Sequence, residues 1–419
     1  MYKKNIKKIN SSSYFYKEES SKSYIFLTSF LYKTSKKNCL IAKLLFEYLF
    51  TINEKYKTVK DIFDKKRELY NSSMYQTQFT TNDYTLLKVK FEMLDPKAVK
   101  DDYFDDALEF IKDMMLNPYF PNGKLDKERM DFIKKDIYDW FLNAYNDFHF
   151  EFDRNYFKTV SPEYSRKYNT YDSPEELKEL LDSITDKDII DFYYELLNNH
   201  YKNLLFGNMS KTEIDKILST FKFKDTTYKL EYKENIVIKN EYNEYVSKKY
   251  DQSVINFTYN VSNPDKYCKD VYQRIFSIMN NSKDGLLLGI MREKYGLVYS
   301  LHLHLDNFTP IFEITCFIDK KNKDKSIDAI KEFFELMHDK KVISKKLEEA
   351  KEKIIESDYL SKEEVNSIYY DFYMTVFENM ESQREYIKEL NKIETKDIIE
   401  FFDGLVNENI FFYKGDKNV

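Results

Sequence analysis

Ile184-Thr185-Asp186-Lys187-Asp188-Ile189-Ile190-Asp191-Phe192, near the middle of the chain, returns near its end as Ile393-Glu394-Thr395-Lys396-Asp397-Ile398-Ile399-Glu400-Phe401. The copies start 209 residues apart (393 − 184), half of a 419-residue chain. Solenoid units recur every ~20–50 residues, so this spacing means a duplicated domain instead. Two questions follow: what fold is duplicated, and whether each copy kept its chemistry.

The pattern around each copy gives the fold class. In the first half, 23–32 reads as a strand and 38–50 as a helix, with Ile41, Leu44, Leu45 and Leu49 on one stripe. A helix at 59–70 follows. Thr85, Leu87, Val89, Phe91 and Met93 then alternate with Leu86, Lys88, Lys90 and Glu92, the mark of a half-buried strand with one mostly polar face. Helices are predicted at 103–116, 126–145 and 173–198, a closing strand at 203–206 and a last helix at 211–221. The second half repeats the order. It has a strand at 255–261, helices at 268–279 and 286–294, and strands at 298–306 and 310–318. Helices over 326–338, 344–357, 362–377 and 381–406 follow, and 409–413 closes. Strands and helices in such runs indicate α+β with antiparallel sheets. The predicted division is a first domain at 1–221, a polar, charge-rich linker at 222–250 with some extended structure, and a second domain at 251–419.

Composition narrows the function. A net charge of −6 is small against 66 basic and 72 acidic residues, and no basic tract stands out, which argues against nucleic acid as a partner. No run of ~18 apolar residues is present, so no membrane span is expected. Met1-Tyr2-Lys3-Lys4-Asn5-Ile6 is basic but lacks the apolar stretch of a signal peptide. Cys39, Cys268 and Cys316 are far apart and odd in number, so they read as small hydrophobes in a reducing cytoplasm. No G-x-S-x-G, P-loop or G-x-G-x-x-G is present. Carboxylate runs such as Glu348-Glu349 and Glu363-Glu364 are interleaved with lysine and read as solvated helix faces.

The most specific stretch is Leu288-Gly289-Ile290-Met291-Arg292-Glu293-Lys294-Tyr295-Gly296-Leu297-Val298-Tyr299-Ser300. It resembles the L..lREKrGL.Y segment in the second domain of the M16 (insulinase/pitrilysin/mitochondrial-processing-peptidase-like) metallopeptidases. Phe79-Thr80-Thr81-Asn82-Asp83-Tyr84-Thr85 is similar to the F.srD.T.Y segment of that family's first domain. The resemblance covers nearly the whole chain. It implies two homologous LuxS/MPP-like domains forming a half-clamshell, with the polar sheet faces towards a shared interior. It also implies roles for Arg292 and Tyr299, seven residues apart, in binding substrate and stabilising an oxyanion at the zinc site of another domain. Both are hydrogen-bond donors, as a developing alkoxide requires. The structural alternative is a helix-end salt bridge for Arg292 and core packing for Tyr299. Tyr299 shares parity with Leu301, Leu303 and Leu305, which puts it on the apolar face unless the alternation starts after it.

The family's zinc motif, H-x-x-E-H, is missing. The matching stretch is Ile41-Ala42-Lys43-Leu44-Leu45-Phe46-Glu47-Tyr48-Leu49-Phe50. Lys43 stands at the first histidine, Phe46 at the base and Glu47 at the second histidine. The third ligand position falls at Lys135 or Asp136, depending on register. No zinc is therefore expected in this chain. His302 and His304 lie i, i+2 on one strand with Asp306 beyond, and could in principle ligate a metal. The blander reading is a solvated or peptide-touching pair, and no metal is assigned. His149, His200 and His338 read as structural or surface residues.

Zinc chemistry lost and an Arg/Tyr segment kept resembles the non-catalytic member of the paired Firmicutes type, associated with elongation-factor-P modification genes. The resemblance implies a cytoplasmic heterodimer with an H-x-x-E-H-bearing M16 subunit, which would hold the zinc. Peptides would be the substrates. The alternative is a non-enzymatic scaffold or peptide-binding protein of the same fold.

Overall fold

The computed structural model describes residues 6–80, 84–160, 171–223, 237–306, 309–361, 364–377 and 383–417. Eleven named strands among them form two sheets. They are β1 (Ile6–Lys8), β2 (Ser13–Lys17), β3 (Ser23–Lys33), β4 (Ser73–Thr80), β5 (Tyr84–Leu94), β6 (Tyr201–Gly207), β7 (Glu241–Ser247), β8 (Ser253–Val261), β9 (Val298–Leu305), β10 (Ile311–Ile318) and β11 (Leu405–Gly415).

The first sheet has the order β1-β2-β6-β3-β5-β4 and the second β7-β11-β8-β10-β9. Apart from the extra β1, the two orders match strand for strand. The directions match as well. β2 runs parallel to β6 and β7 parallel to β11, and the remaining neighbours are antiparallel. The fold is α+β, as the sequence predicts, but each sheet is mixed rather than purely antiparallel. The duplication is thus a duplication of topology.

The repeated sequence motif builds the same device twice. Thr185 caps the helix Asp186–Leu197: its hydroxyl accepts from Asp188 N at 3.2 Å, and Asp188 accepts from Thr185 N at 2.9 Å. Asp397 likewise accepts from Glu394 N at 2.9 Å at the start of Thr395–Asp403. This reciprocal satisfaction of orphan donors is a capping box. Ile184, Ile189, Ile393 and Ile398 flank the two caps, and all are buried. The cap also corrects an expectation. The helix predicted over 173–198 is two, Pro174–Ser183 and Asp186–Leu197, because Thr185 starts a new one. The stretch 381–406 similarly divides into Gln383–Lys392 and Thr395–Asp403.

The chain folds into two compact units that do not follow one cut in sequence. One comprises Met1–Asn146, Lys167–Leu230 and Val365–Ser382. The other comprises Asp147–Arg166, Glu231–Glu364 and Gln383–Val419. Each unit therefore contains a helix encoded in the other half of the chain. In the first unit, Val365–Phe377 sets Phe372 against Tyr16 (5.4 Å between centroids) and Tyr369 against Phe206 (5.4 Å). In the second, Phe148–Val160 packs Phe152, Tyr156 and Val160 with Val254, Phe411 and Tyr413.

These helices cover the sheet faces expected to be open. In the first unit, Lys88 donates to Tyr373 Oη, and Lys90 lies 5.0 Å from the Tyr369 ring. In the second, Tyr156 Oη donates to Glu313 Oε2 at 2.8 Å and lies 2.8 Å from Thr258 Oγ1. Polar side chains on a buried sheet face need such partners. Of the predicted linker, 224–236 lies outside the described residues, and Glu241–Ser247 is a strand of the second sheet. No helix among the described residues is long and apolar enough to cross a membrane.

Candidate functional site

Arg292 and Tyr299 flank one turn of the second unit. The turn begins with a π-helical segment, Gly289–Lys294, a wide helical winding often found at functional positions. Gly296 closes it at φ +60°, a backbone region that penalises side chains. Gly296 N donates to Arg292 O at 3.0 Å and Leu297 N to Met291 O at 2.8 Å, so the strand starts directly from the helix end. Leu297 and Val298 are buried and anchor the turn in the core.

The next residue settles the parity question. Val298 pairs with Ile318 and Ser300 with Phe317, so Tyr299 has no opposite residue on β10. This irregularity is a β-bulge, which re-aims a side chain and shifts the alternation. Leu301, Leu303 and Leu305 are buried, but Tyr299 is 63% exposed. Its hydroxyl donates to Asp319 Oδ1 at 2.6 Å, and this bond to a carboxylate holds the phenol above its ordinary value. Arg292 is also exposed. The core packing considered for Tyr299 and the helix-end ion pair considered for Arg292 are both absent among the described residues.

In the first unit, the helix Lys36–Leu49 carries Lys43, Phe46 and Glu47. Phe46 turns inward, 2% exposed, with its ring 5.6 Å from Phe50. Lys43 and Glu47 lie one turn apart on the half-buried side. Lys43 Nζ sits 4.6 Å from the ring of Trp140, the chain's one tryptophan. Burial pulls the Lys43 ammonium below its ordinary value, against the opposing charges of Glu47 and Asp136. Burial pushes the Glu47 carboxyl up; Lys43 opposes this and Asp136 adds to it. Of the two possible third positions, Asp136 is thus the one whose charge reaches this patch, while Lys135 pairs with Asp139. The donor set does not fit zinc. It offers no imidazole, and a fixed ammonium on the same face repels a cation.

Residues 183–354 match the family model described as the peptidase M16 inactive domain. Over that stretch the chain is similar to the M16 inactive domain. A conserved protein from Enterococcus faecalis V583 shares its fold with a TM-score of 0.81 at 18% identity, over 99% of this chain and 100% of that one. The peptidase M16 inactive domain from Pseudomonas fluorescens gives 0.73 at 13% identity, over 99% and 98%. The periplasmic protease PqqL from Escherichia coli gives 0.64 at 10% identity, over 97% of this chain but 45% of that one. At these identities the likeness is one of fold. Among curated proteins none matches the sequence.

The histidine candidates 302, 304 and 338 belong to the second unit, and Lys43, Phe46 and Glu47 to the first. His302 and His304 are exposed on β9. The His302 ring lies 6.3 Å from that of Phe317, and His304 Nδ1 lies 3.4 Å from Gln273 Nε2. Asp306 Oδ1 accepts from Thr309 N at 3.1 Å. No group of three or more His, Cys, Asp or Glu poised for a metal occurs among the described residues. His338 Nε2 pairs with Asp403 Oδ1 at 2.8 Å. Of the 79–85 motif, 81–83 lies outside the described residues; Thr85 Oγ1 is 3.0 Å from Thr34 Oγ1. Sequence reasoning missed Asp319 and Trp140. Each pairs with a residue far along the chain, so local spacing carries no sign of it.

Proposed function

We propose that the chain is a catalytically inactive subunit that pairs with an H-x-x-E-H-bearing M16 chain and lends Arg292 and Tyr299 to its peptide-cleaving site. The observation that carries this is the bulge at Tyr299. A tyrosine serving only the core would follow the parity of Leu301, Leu303 and Leu305; this one is turned out, seven residues after an arginine that is also exposed. Burying such a ring stabilises a fold by ~1.5–3 kcal/mol, which this position forgoes. The match of residues 183–354 to the peptidase M16 inactive domain supports the inactive role.

In the complex, Arg292 would anchor a peptide carbonyl near the scissile bond. Tyr299 would donate to the oxyanion formed as that bond is attacked. Zinc belongs to the partner, since Lys43, Phe46 and Glu47 leave no donor set here. The same reading places the pair in the cytoplasm, on three separated cysteines and no disulfide framework.

The test is reconstitution with an M16 chain carrying H-x-x-E-H, encoded nearby. Loss of one oxyanion donor typically costs ~10²–10³ in kcat. Tyr299→Phe should slow peptide cleavage at least ~10-fold with assembly intact, and Arg292→Ala should do similar or greater damage. Assembled variants that cleave at the wild-type rate would hand the protein to the scaffold reading.

A further inference from the structure

We propose that Glu332 is a positioning residue of Arg292: its carboxylate clamps the exposed turn that carries the guanidinium. This rests on the reading of Arg292 as a group that serves a partner's substrate.

The turn needs a clamp because little within it resists movement. Arg292, Glu293, Lys294, Tyr295 and Gly296 are five consecutive exposed residues between buried Met291 and buried Leu297. Two of the chain's seven glycines bracket the turn. Gly296 answers a positive φ, but Gly289 does not: its φ of −59° and ψ of −43° are ordinary helical values, and a Cβ there would meet nothing within 4 Å. Glycine at such a position loosens a helix with no gain in packing. The winding itself is π-helical, a form that rarely outlasts a single turn. A group that anchors substrate contributes only as far as it is already in place. The support for Arg292 must therefore come from outside the turn.

Glu332 supplies that support. It lies on the helix Lys323–Leu336, which Ala329, Ile330 and Phe333 seat in the core. One carboxylate oxygen accepts from Lys294 Nζ at 2.7 Å and the other from Tyr295 Oη at 2.7 Å. Among the described residues, no other side chain from outside the turn bonds to 292–296. A single exposed ion pair restrains little. Two bonds from adjacent residues onto one carboxylate fix the orientation of the segment as well as its position. They grip it where the winding ends, at the residue whose N–H donates to Ile290 O at 3.2 Å. Lys294 first, and then the Tyr295 phenol, hold the Glu332 carboxyl below the ordinary carboxylate range, so both acceptor oxygens stay engaged at neutral pH. The clamp does not compete with the anchor. Neither Lys294 nor Tyr295 has to give up its bond for Arg292 to meet a peptide carbonyl.

Amide hydrogen exchange on the isolated chain reads the clamp without any partner, through the Tyr295, Gly296 and Leu297 N–H groups that close the turn. Glu332→Ala should speed their exchange about three- to tenfold, the loss expected of two solvent-exposed bonds, with the midpoint of global unfolding unchanged. Exchange as slow as in wild type overturns the proposal. In the reconstituted complex, Glu332→Ala should lower kcat/KM about three- to tenfold through lost orientation. Glu332→Gln, which keeps an acceptor for the phenol, should cost less. A positioning residue acts through the group it positions, so Glu332→Ala should cost nothing further once Arg292 is replaced by alanine. A full additive cost in the double variant also overturns the proposal, because a general weakening of the fold would give that result. If Arg292→Ala slows the complex while Glu332→Ala does not, Glu332 has no positioning role and the reading of Arg292 survives. If Arg292→Ala is silent, that reading falls and takes the positioning role with it.

Discussion

Lys202 shows how much one buried charge can shape this fold. It lies 4% exposed on β6, and its ammonium donates to Val376 O at 3.2 Å, near the end of the helix Val365–Phe377. Burial, helped by the charge of Lys8, pulls its pKa down from 10.5 to about 8. A lysine so depressed holds its proton more weakly in the folded chain than in the unfolded one. Between pH 8 and 10.5 the unfolded state therefore binds more protons, and stability rises with pH across that window. Below it the penalty is constant, at most about 3 kcal/mol. Urea unfolding at several pH values should show wild type gaining on Lys202→Met from pH 8 upward. A difference between the two that stays flat with pH would show that Lys202 is not desolvated. At this same scale the donor types of Lys43, Phe46 and Glu47 are legible, because no imidazole stands among them whatever surrounds them. Asp319 and Trp140 were not legible, because their partners, Tyr299 and Lys43, are distant in sequence.

Elements with a local signature could be read directly. The capping boxes at Thr185 and Glu394 are spelled out within four residues, and they exposed the duplication. The bulge at Tyr299 has no such spelling, so alternation put that ring on the apolar face unless it started after it, and left the choice open. Short strands such as β1 and β2 are too brief for periodicity to register. Phe148–Val160 escaped because aromatic residues at 148, 150, 152, 156 and 157 obscure a single stripe. β9 carries a further device. It ends the second sheet, and a bare edge invites another strand. The Asn281 side chain blocks it: Nδ2 donates to Leu303 O at 2.9 Å, and Oδ1 accepts from Leu303 N at 2.9 Å. The amide imitates one pair of a neighbouring strand in the middle of the edge. Asn281→Ala should leave both backbone groups open and make the chain self-associate with rising concentration. Sedimentation velocity across a dilution series would reveal this; a variant as monodisperse as wild type would rule the guard out.

The whole molecule is more than two domains in series, and this changes what a fragment can do. The first unit is completed by Val365–Phe377, which the second half of the sequence encodes. Ile368, Phe372 and Val376 of that helix are buried. At ~1.5–3 kcal/mol for each fully buried apolar side chain, their loss would remove about 5–9 kcal/mol. A typical domain has ~5–15 kcal/mol in total. Removing the helix also exposes Tyr16 and Phe206 and takes Tyr373 from Lys88 and Tyr369 from Lys90. A fragment of residues 1–230 would in addition carry Phe148–Val160 with no β11 to receive Phe152 and Tyr156. The helical stripe of 362–377 was visible in the sequence, but periodicity shows that a face is buried, not which sheet buries it. The fragment should therefore unfold broadly and bind hydrophobic dye. A synthetic peptide of residues 364–378 added in trans should sharpen the transition and restore near-ultraviolet circular dichroism. The same peptide with Phe372→Ala should fail. If the fragment unfolds cooperatively at one midpoint with and without the peptide, the exchanged helix is an accessory to the first unit and the 1–221 boundary describes a true folding unit.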